Sequence, residues 1–471
     1  MGMEDLLIKN GLVVTEDAEL VCDIFCSGEK IKKIGRNLAA GENTKVIDAG
    51  GQIVIPGGVD VHTHLNLDVG IAVASDDFYT GTVAAAFGGT TTIVDHIAFG
   101  PPRCSLERQI NAYHGLARDK AVIDYGFHGV IQHVDDGVLQ KMEDLIDEGI
   151  SSYKVYLTYQ YRLADGDLYR VLKRAGELSL LITCHPENDG VITLLREQFK
   201  TEGKFAPSYH PLSRPAECEA EAINRMILFA KMAGDAGLYI VHLSNELGLS
   251  YIRSARERGQ QNLYAETCPQ YLLLDDSRYG LPGIEGLKYL MCPPLRPKAD
   301  GEALWKGLVK DIDTVATDHC PFFFKTQKIL GKDDFTACPS GAPGIEERIP
   351  LLFSFGVKGN RISLRRFTEL CSTSPAKLFG LYPQKGVIRE GADADLVIID
   401  PEAETVLTQK RLHGNVDYTA YEGFKLSGYP VCTVSRGELI VRDGKFTGSA
   451  GRGKFIKRAL VSNCQGIVPP P

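Results

Sequence analysis

The 471-residue chain has no excess of basic residues: 52 Lys and Arg stand against 60 Asp and Glu, for a formal net charge of -8. That balance argues against nucleic-acid binding, which needs a basic face; otherwise it speaks for solubility. No run approaches the roughly 20 apolar residues of a membrane-spanning helix, so no membrane partner is expected. The start, Met1-Gly2-Met3-Glu4-Asp5-Leu6-Leu7, has no basic segment followed by an apolar one and reads as lacking a secretory signal. The 12 cysteines run from Cys22 to Cys464 without zinc-finger or C-x-x-C spacing. They read as reduced thiols of a cytoplasmic protein, most of them small core residues. Internal repeats and low-complexity segments are also missing.

What is present is a core-forming composition, 44% hydrophobic and 24% charged, in a chain long enough for a large barrel with an accessory domain. Short strand-like runs separated by turn residues fill residues 1–55, too few to be stable alone. Similar runs return in 391–400, 431–434 and 438–444. Both termini are therefore expected to build one small β-sandwich, from 1–55 and 381–445. Between them, 56–380 alternates apolar strand-like runs with amphipathic helical stretches, the pattern of βα units. Eight runs can be counted: 59–64, 90–95, 122–130, 152–158, 180–185, 237–243, 262–268 and 314–318. Eight is the number that closes a (β/α)8 barrel, whose active site lies at the C-terminal strand ends. The tail, 446–471, carries Arg452, Lys454, Lys457 and Arg458 before three prolines and is expected to be solvated or to touch another subunit.

The strand ends carry the chemistry. His62 and His64 are two residues apart on the first strand, so both imidazoles point to one side. His185 ends the fifth strand, His242 the sixth and Asp318 the eighth. Imidazole and carboxylate around one barrel mouth are a metal-ligand set. Lys154 lies inside the fourth strand, where a bare ammonium loses its hydration and cannot act as a ligand; a charge partner or a modified amine is expected. His96, His128, His133 and His319 fit this arrangement less well and read as structural.

The stretches PGGVDVHTH, GGTTTIVDH, SSYKVYLTYQY, HPEN, HPLSRPAECEAEAI, YIVHLSN, ETCPQYLLLD, CPPLR, VATDHCPF, SPAKLFGLYPQKG and GADADLVIIDP together resemble the hydantoinase and dihydropyrimidinase family of the amidohydrolase superfamily, over nearly the whole chain. The resemblance implies a binuclear zinc centre. His62, His64 and Asp318 would hold the more buried ion and His185 and His242 the other. Lys154, carbamylated by carbon dioxide, would bridge them beside a hydroxide. It also implies hydrolysis of a cyclic amide, with the Tyr159 hydroxyl stabilising the oxyanion and Asp318 passing a proton to the leaving nitrogen. Cys292 and Ser340, where many relatives have serine and asparagine, would contact the substrate ring, largely through backbone groups. Leu67, Val69, Tyr156 and Tyr161 would line the pocket for an aryl or alkyl substituent.

The expected activity is ring opening of 5-monosubstituted hydantoins to N-carbamoyl amino acids, D-selective by family analogy. A dihydropyrimidinase acting on dihydrouracil or dihydrothymine and an allantoinase are alternatives on the same centre. A non-catalytic scaffold of the same family would have lost ligands that are all present here. A deaminase on this barrel would usually have a single metal and no bridging lysine, against which Lys154 speaks. The family also implies a homotetramer, or a homodimer.

Overall fold

The computed structural model describes residues 4 to 460; Cys464 and the three final prolines of the tail lie outside them. The first five strands are β1 (Asp5–Val14), β2 (Glu19–Ser27), β3 (Lys30–Gly35), β4 (Thr44–Asp48) and β5 (Ile53–Pro56). Alternation of apolar and polar side chains fits them to a sheet with one covered face. It does not specify neighbours: β1 pairs antiparallel with β2 but parallel with β4 and β5.

Eight parallel strands follow: β6 (Gly58–Thr63), β7 (Thr90–His96), β8 (Asp124–Val130), β9 (Ser152–Tyr156), β10 (Leu181–His185), β11 (Leu238–Ile240), β12 (Leu263–Thr267) and β13 (Thr314–Val315). They form a barrel that closes where Thr63 bridges His319 and the His64 N–H donates to the His319 carbonyl, 2.9 Å. Helices cover the outside. The helix Asp165–Leu178 shows why they form: it buries Leu168, Val171, Leu172 and Ala175, spaced three or four residues apart on one face. Ser105, Asp135, Asn188 and Asn245 cap four other helices through side-chain oxygens. Among the described residues no helix is long and apolar enough to cross a membrane.

The chain then returns to the first sheet with β14 (Leu396–Val406), β15 (Lys425–Ser435), β16 (Glu438–Arg442) and β17 (Lys445–Phe446). The two terminal halves meet where β14 pairs antiparallel with β5, giving one continuous nine-stranded sheet. Its own core includes Leu6, Ile8, Ile24, Ile31, Ile398 and Val434. Charge ties this sheet to the barrel. Lys385 Nζ lies 2.5 Å from Asp124 at the start of β8, 2.9 Å from Asp393 and 2.8 Å from Asp395; Arg436 reaches the other oxygen of Asp124 at 3.0 Å. The described part of the tail packs on its own barrel. Arg458 is buried and donates to Ser152 Oγ at 2.9 Å and to the Phe127 carbonyl.

One buried acid makes stability depend on pH. Glu347 is held by a 2.8 Å hydrogen bond from Thr419 Oγ1. Burial, helped by Glu346, pushes its carboxyl from 4.5 up to about 7. The folded state therefore binds the extra proton between about 4.5 and 7, and stability falls as pH rises through that window. A shift of this size is worth on the order of 3 kcal/mol above pH 7. Glu347→Gln keeps an acceptor for Thr419 and is expected to raise the thermal midpoint at pH 8 but hardly at pH 5. An equal change at both pH values would remove the assignment.

Candidate active site

The site gathers side chains from strand ends that are far apart in sequence. His62 comes from β6 and His64 from the residue after it, and both are buried. Asp318 stands three residues beyond β13, and His242 two beyond β11, because these strands stop short of the expected spans 314–318 and 237–243. Both residues take left-handed backbone angles, φ 53° for Asp318 and 40° for His242; Tyr159 does so too, at 73°. Non-glycine residues adopt this region at a cost, and such strain concentrates at functional sites. Next to Asp318, Thr317 Oγ1 donates to Asp60 Oδ2 at 2.7 Å, which pins the end of β13 to β6.

Asp318 Oδ1 lies 3.1 Å from Nε2 of His62 and 3.1 Å from Nε2 of His64. Burial works against the Asp318 charge, but His62 and His64 outweigh it and hold the carboxyl well below its usual range. His242 Nε2 is 2.9 Å from His185 Nδ1. Burial keeps His242 and His185 below the usual imidazole range; it takes His64 down to about 4. Lys154, 1% exposed, is drawn down to about 8 by burial, against the opposing pull of Asp318 and Glu266.

Two carboxylates that sequence reasoning missed set the ring orientations. Glu266, in β12, takes His62 Nδ1 at 2.6 Å and the His242 backbone N–H at 2.9 Å. Glu187 takes His185 Nε2 at 2.7 Å and is itself paired with Arg214 at 2.5 Å. With Nδ1–H of His62 and Nε2–H of His185 given to these acids, the lone pairs of His62 Nε2 and His185 Nδ1 face inward. His62 Nε2 has no hydrogen-bond partner. The unpartnered Nε2 of His62 beside the Asp318 carboxylate fits a bound cation, and carboxylate-oriented histidines are the usual surroundings of a metal.

His96 stands next to His62 and His64, with its Nε2 3.4 Å from Thr183 Oγ1. One ring nitrogen or other from each of His62, His64 and His96 lies within 4.8 Å of the others, and His96 Nδ1 has no partner. His128 is engaged by Ser152 Oγ at 2.7 Å and the Val61 carbonyl at 2.9 Å, and His319 by Asp76 at 3.0 Å. His133 lies 3.6 Å from Asp135.

Above the histidines is a cavity of about 560 Å³. Its walls include Lys154, Tyr159, Cys292 and Ser340, as well as Leu67, Val69, Tyr156 and Tyr161, so the expected substrate-contacting residues all meet in one space. The Tyr159 ring is 5.1 Å from that of His185. Burial holds its hydroxyl well above the usual range, so it stays a proton donor. Gly341 carries Ser340 into the wall at φ 149°, and a Cβ there would come within 2.3 Å of the Cys320 carbonyl.

Comparison with known proteins agrees with this geometry. The amidohydrolase family model matches residues 53–440. The chain is 52% identical over 466 residues to a D-phenylhydantoinase of Escherichia coli O1:K1 / APEC, covering 99% of both sequences. The crystal structure of a dihydropyrimidinase from Brevibacillus agri NCHU1002 matches with a TM-score of 0.95 at 45% identity, over 97% of this chain and 99% of that one. An L-hydantoinase (dihydropyrimidinase) from Arthrobacter aurescens matches at 0.87 and 30% identity, over 97% and 100%. With its (β/α)8 barrel, its terminal sheet and its convergent histidines, the chain belongs to the amidohydrolase family, in the group of hydantoinases and dihydropyrimidinases.

Proposed function

We propose that the protein is a binuclear zinc hydrolase that opens the ring of 5-monosubstituted hydantoins to N-carbamoyl amino acids, with preference for the D form. The observation that carries this reading is the convergence of His62, His64, Lys154, His185, His242 and Asp318 beneath one cavity. His62, His64 and Asp318 would hold one zinc ion, His185 and His242 the other, and Lys154, carbamylated by carbon dioxide, would bridge them. Two such ions, when bound, lower the pKa of coordinated water and polarise the substrate carbonyl.

The chain's own groups do the rest. The Asp318 carboxylate accepts the proton of the attacking water and passes it to the departing ring nitrogen. The Tyr159 hydroxyl donates to the oxygen on which negative charge develops. Leu67, Val69, Tyr156 and Tyr161 enclose the exocyclic substituent, and Cys292 and Ser340 border the ring. The 52% identical relative is a D-phenylhydantoinase, which favours an aryl or alkyl hydantoin and the D product. The assembly proposed is a cytoplasmic homotetramer or homodimer. Leu194, Leu212, Leu228 and Met232, all exposed on neighbouring helices, offer apolar surface for it.

The test is hydrolysis of racemic phenylhydantoin, dihydrouracil and allantoin alongside metal analysis. Two zinc ions per chain and a D-N-carbamoyl product from phenylhydantoin are expected. Turnover confined to dihydrouracil or allantoin would move the substrate to another cyclic amide. Absence of both metal and turnover would overturn the reading.

A further inference from the structure

The cavity wall has two chemistries. Leu67, Val69, Ile71, Phe99, Tyr156 and Tyr161 make one part apolar, but Arg196, Arg214 and His210 also line it. Arg214 is buried and spoken for by Glu187 at 2.5 Å, and its guanidinium lies 5.6 Å from the centre of the Tyr159 ring. His210 donates to the Met291 carbonyl at 2.8 Å. Burial and Arg214 push its pKa down to about 3, so it is neutral.

Arg196 is different. It projects from the helix Asp189–Thr201, whose first residue, Asp189, accepts hydrogen bonds from Thr158 Oγ1 at 3.0 Å and from the Tyr159 N–H at 3.3 Å. Among the described residues its guanidinium donates to the Thr336 carbonyl at 3.2 Å, and no carboxylate lies within ion-pair distance. Asp334, which acts on it at longer range, is paired with Lys200 at 3.2 Å. Two guanidinium groups thus share this part of the wall with one carboxylate, Glu187, leaving one positive charge without a counter-ion. A planar, permanently charged group with free N–H donors beside a substrate cavity is suited to a carboxylate.

We propose that Arg196 is a specificity residue that selects cyclic amides bearing a second, non-reacting carboxylate on the ring substituent. The inference deepens the hydantoinase reading and rests on it. A cavity in the size range of larger ligands accommodates such a substituent beyond the ring, and the apolar wall accounts for its methylene portion. The selected group takes no part in the bond changes; it is held while the ring amide is hydrolysed.

The test compares 5-(2-carboxyethyl)hydantoin with the matching carboxamide, which has the same shape and no charge. For the wild-type holoenzyme kcat/KM is expected to favour the acid by about tenfold or more, as a charged hydrogen bond implies, mainly through KM, and less at high salt. Arg196→Met should bring the acid-to-amide ratio near one, while Arg196→Lys keeps part of it; metal content and circular dichroism show that each variant is folded and loaded. A wild-type enzyme without preference for the acid, or a ratio unmoved by Arg196→Met, overturns the proposal. Turnover of phenylhydantoin but of neither probe overturns it as well and leaves the hydantoinase reading standing. Turnover of none of the three removes both.

Discussion

Lys154→Ala is expected to lower hydantoin hydrolysis by about 10³-fold or more and to reduce the metal content of the purified protein below two ions per chain. Lys154 is buried in β9, within electrostatic reach of Asp318 and Glu266. Left as an ammonium it would repel cations from the histidines. With its pKa near 8, about a tenth of the amine is neutral at pH 7, far more than for an exposed lysine, and the neutral amine is the form that adds carbon dioxide. The proposed carbamate would reverse the charge and supply two oxygen donors between the pairs His62–His64 and His185–His242. A second measurement separates this from a packing defect: metal-free wild type reloaded with zinc in carbon-dioxide-depleted buffer should regain activity slowly until bicarbonate is added. Full metal and full turnover in the alanine variant would end the bridging role.

Asp318→Asn and Tyr159→Phe are expected to differ in kind. Asn is nearly isosteric with Asp but cannot carry a proton between water and the leaving nitrogen, so turnover should fall by about 10³ to 10⁴. It also replaces the anionic oxygen that stands 3.1 Å from both His62 and His64, so affinity for one metal ion should weaken. Tyr159→Phe removes one oxyanion donor and should cost about 10² to 10³ in kcat, with metal content unchanged, since Tyr159 sits outside the ligand set. Rates measured together with metal analysis on the two variants decide the matter. Metal loss in Tyr159→Phe, or near-normal turnover in either, would contradict the assigned roles.

The side chains that converge beneath the cavity were legible because each sits at a place where local pattern has a physical meaning. His62 and His64 share a face through the two-residue period of a strand; His185, His242 and Asp318 follow apolar runs that had to be barrel strands. Less legible were the ends of β11 and β13, since an apolar run does not show where hydrogen bonding stops. There His242 and Asp318 leave the ladder with left-handed φ angles. His96 was read as structural; that its ring lies 4.4 Å from that of His62 could not be seen from one histidine at a strand end.

The sequence by itself determined the eight-strand count, the return of the chain to its first sheet, and which side chains reach the barrel mouth, because these follow from periodicity and strand order along a single chain. Tertiary structure alone decided what stands behind those side chains. Glu266 meets His62 across 204 residues and Asp60 meets Thr317 across 257; Arg196 stands in the cavity without a counter-ion. Such pairings depend on which strand lies beside which and on where each chain segment stops, and no local pattern of residues encodes either.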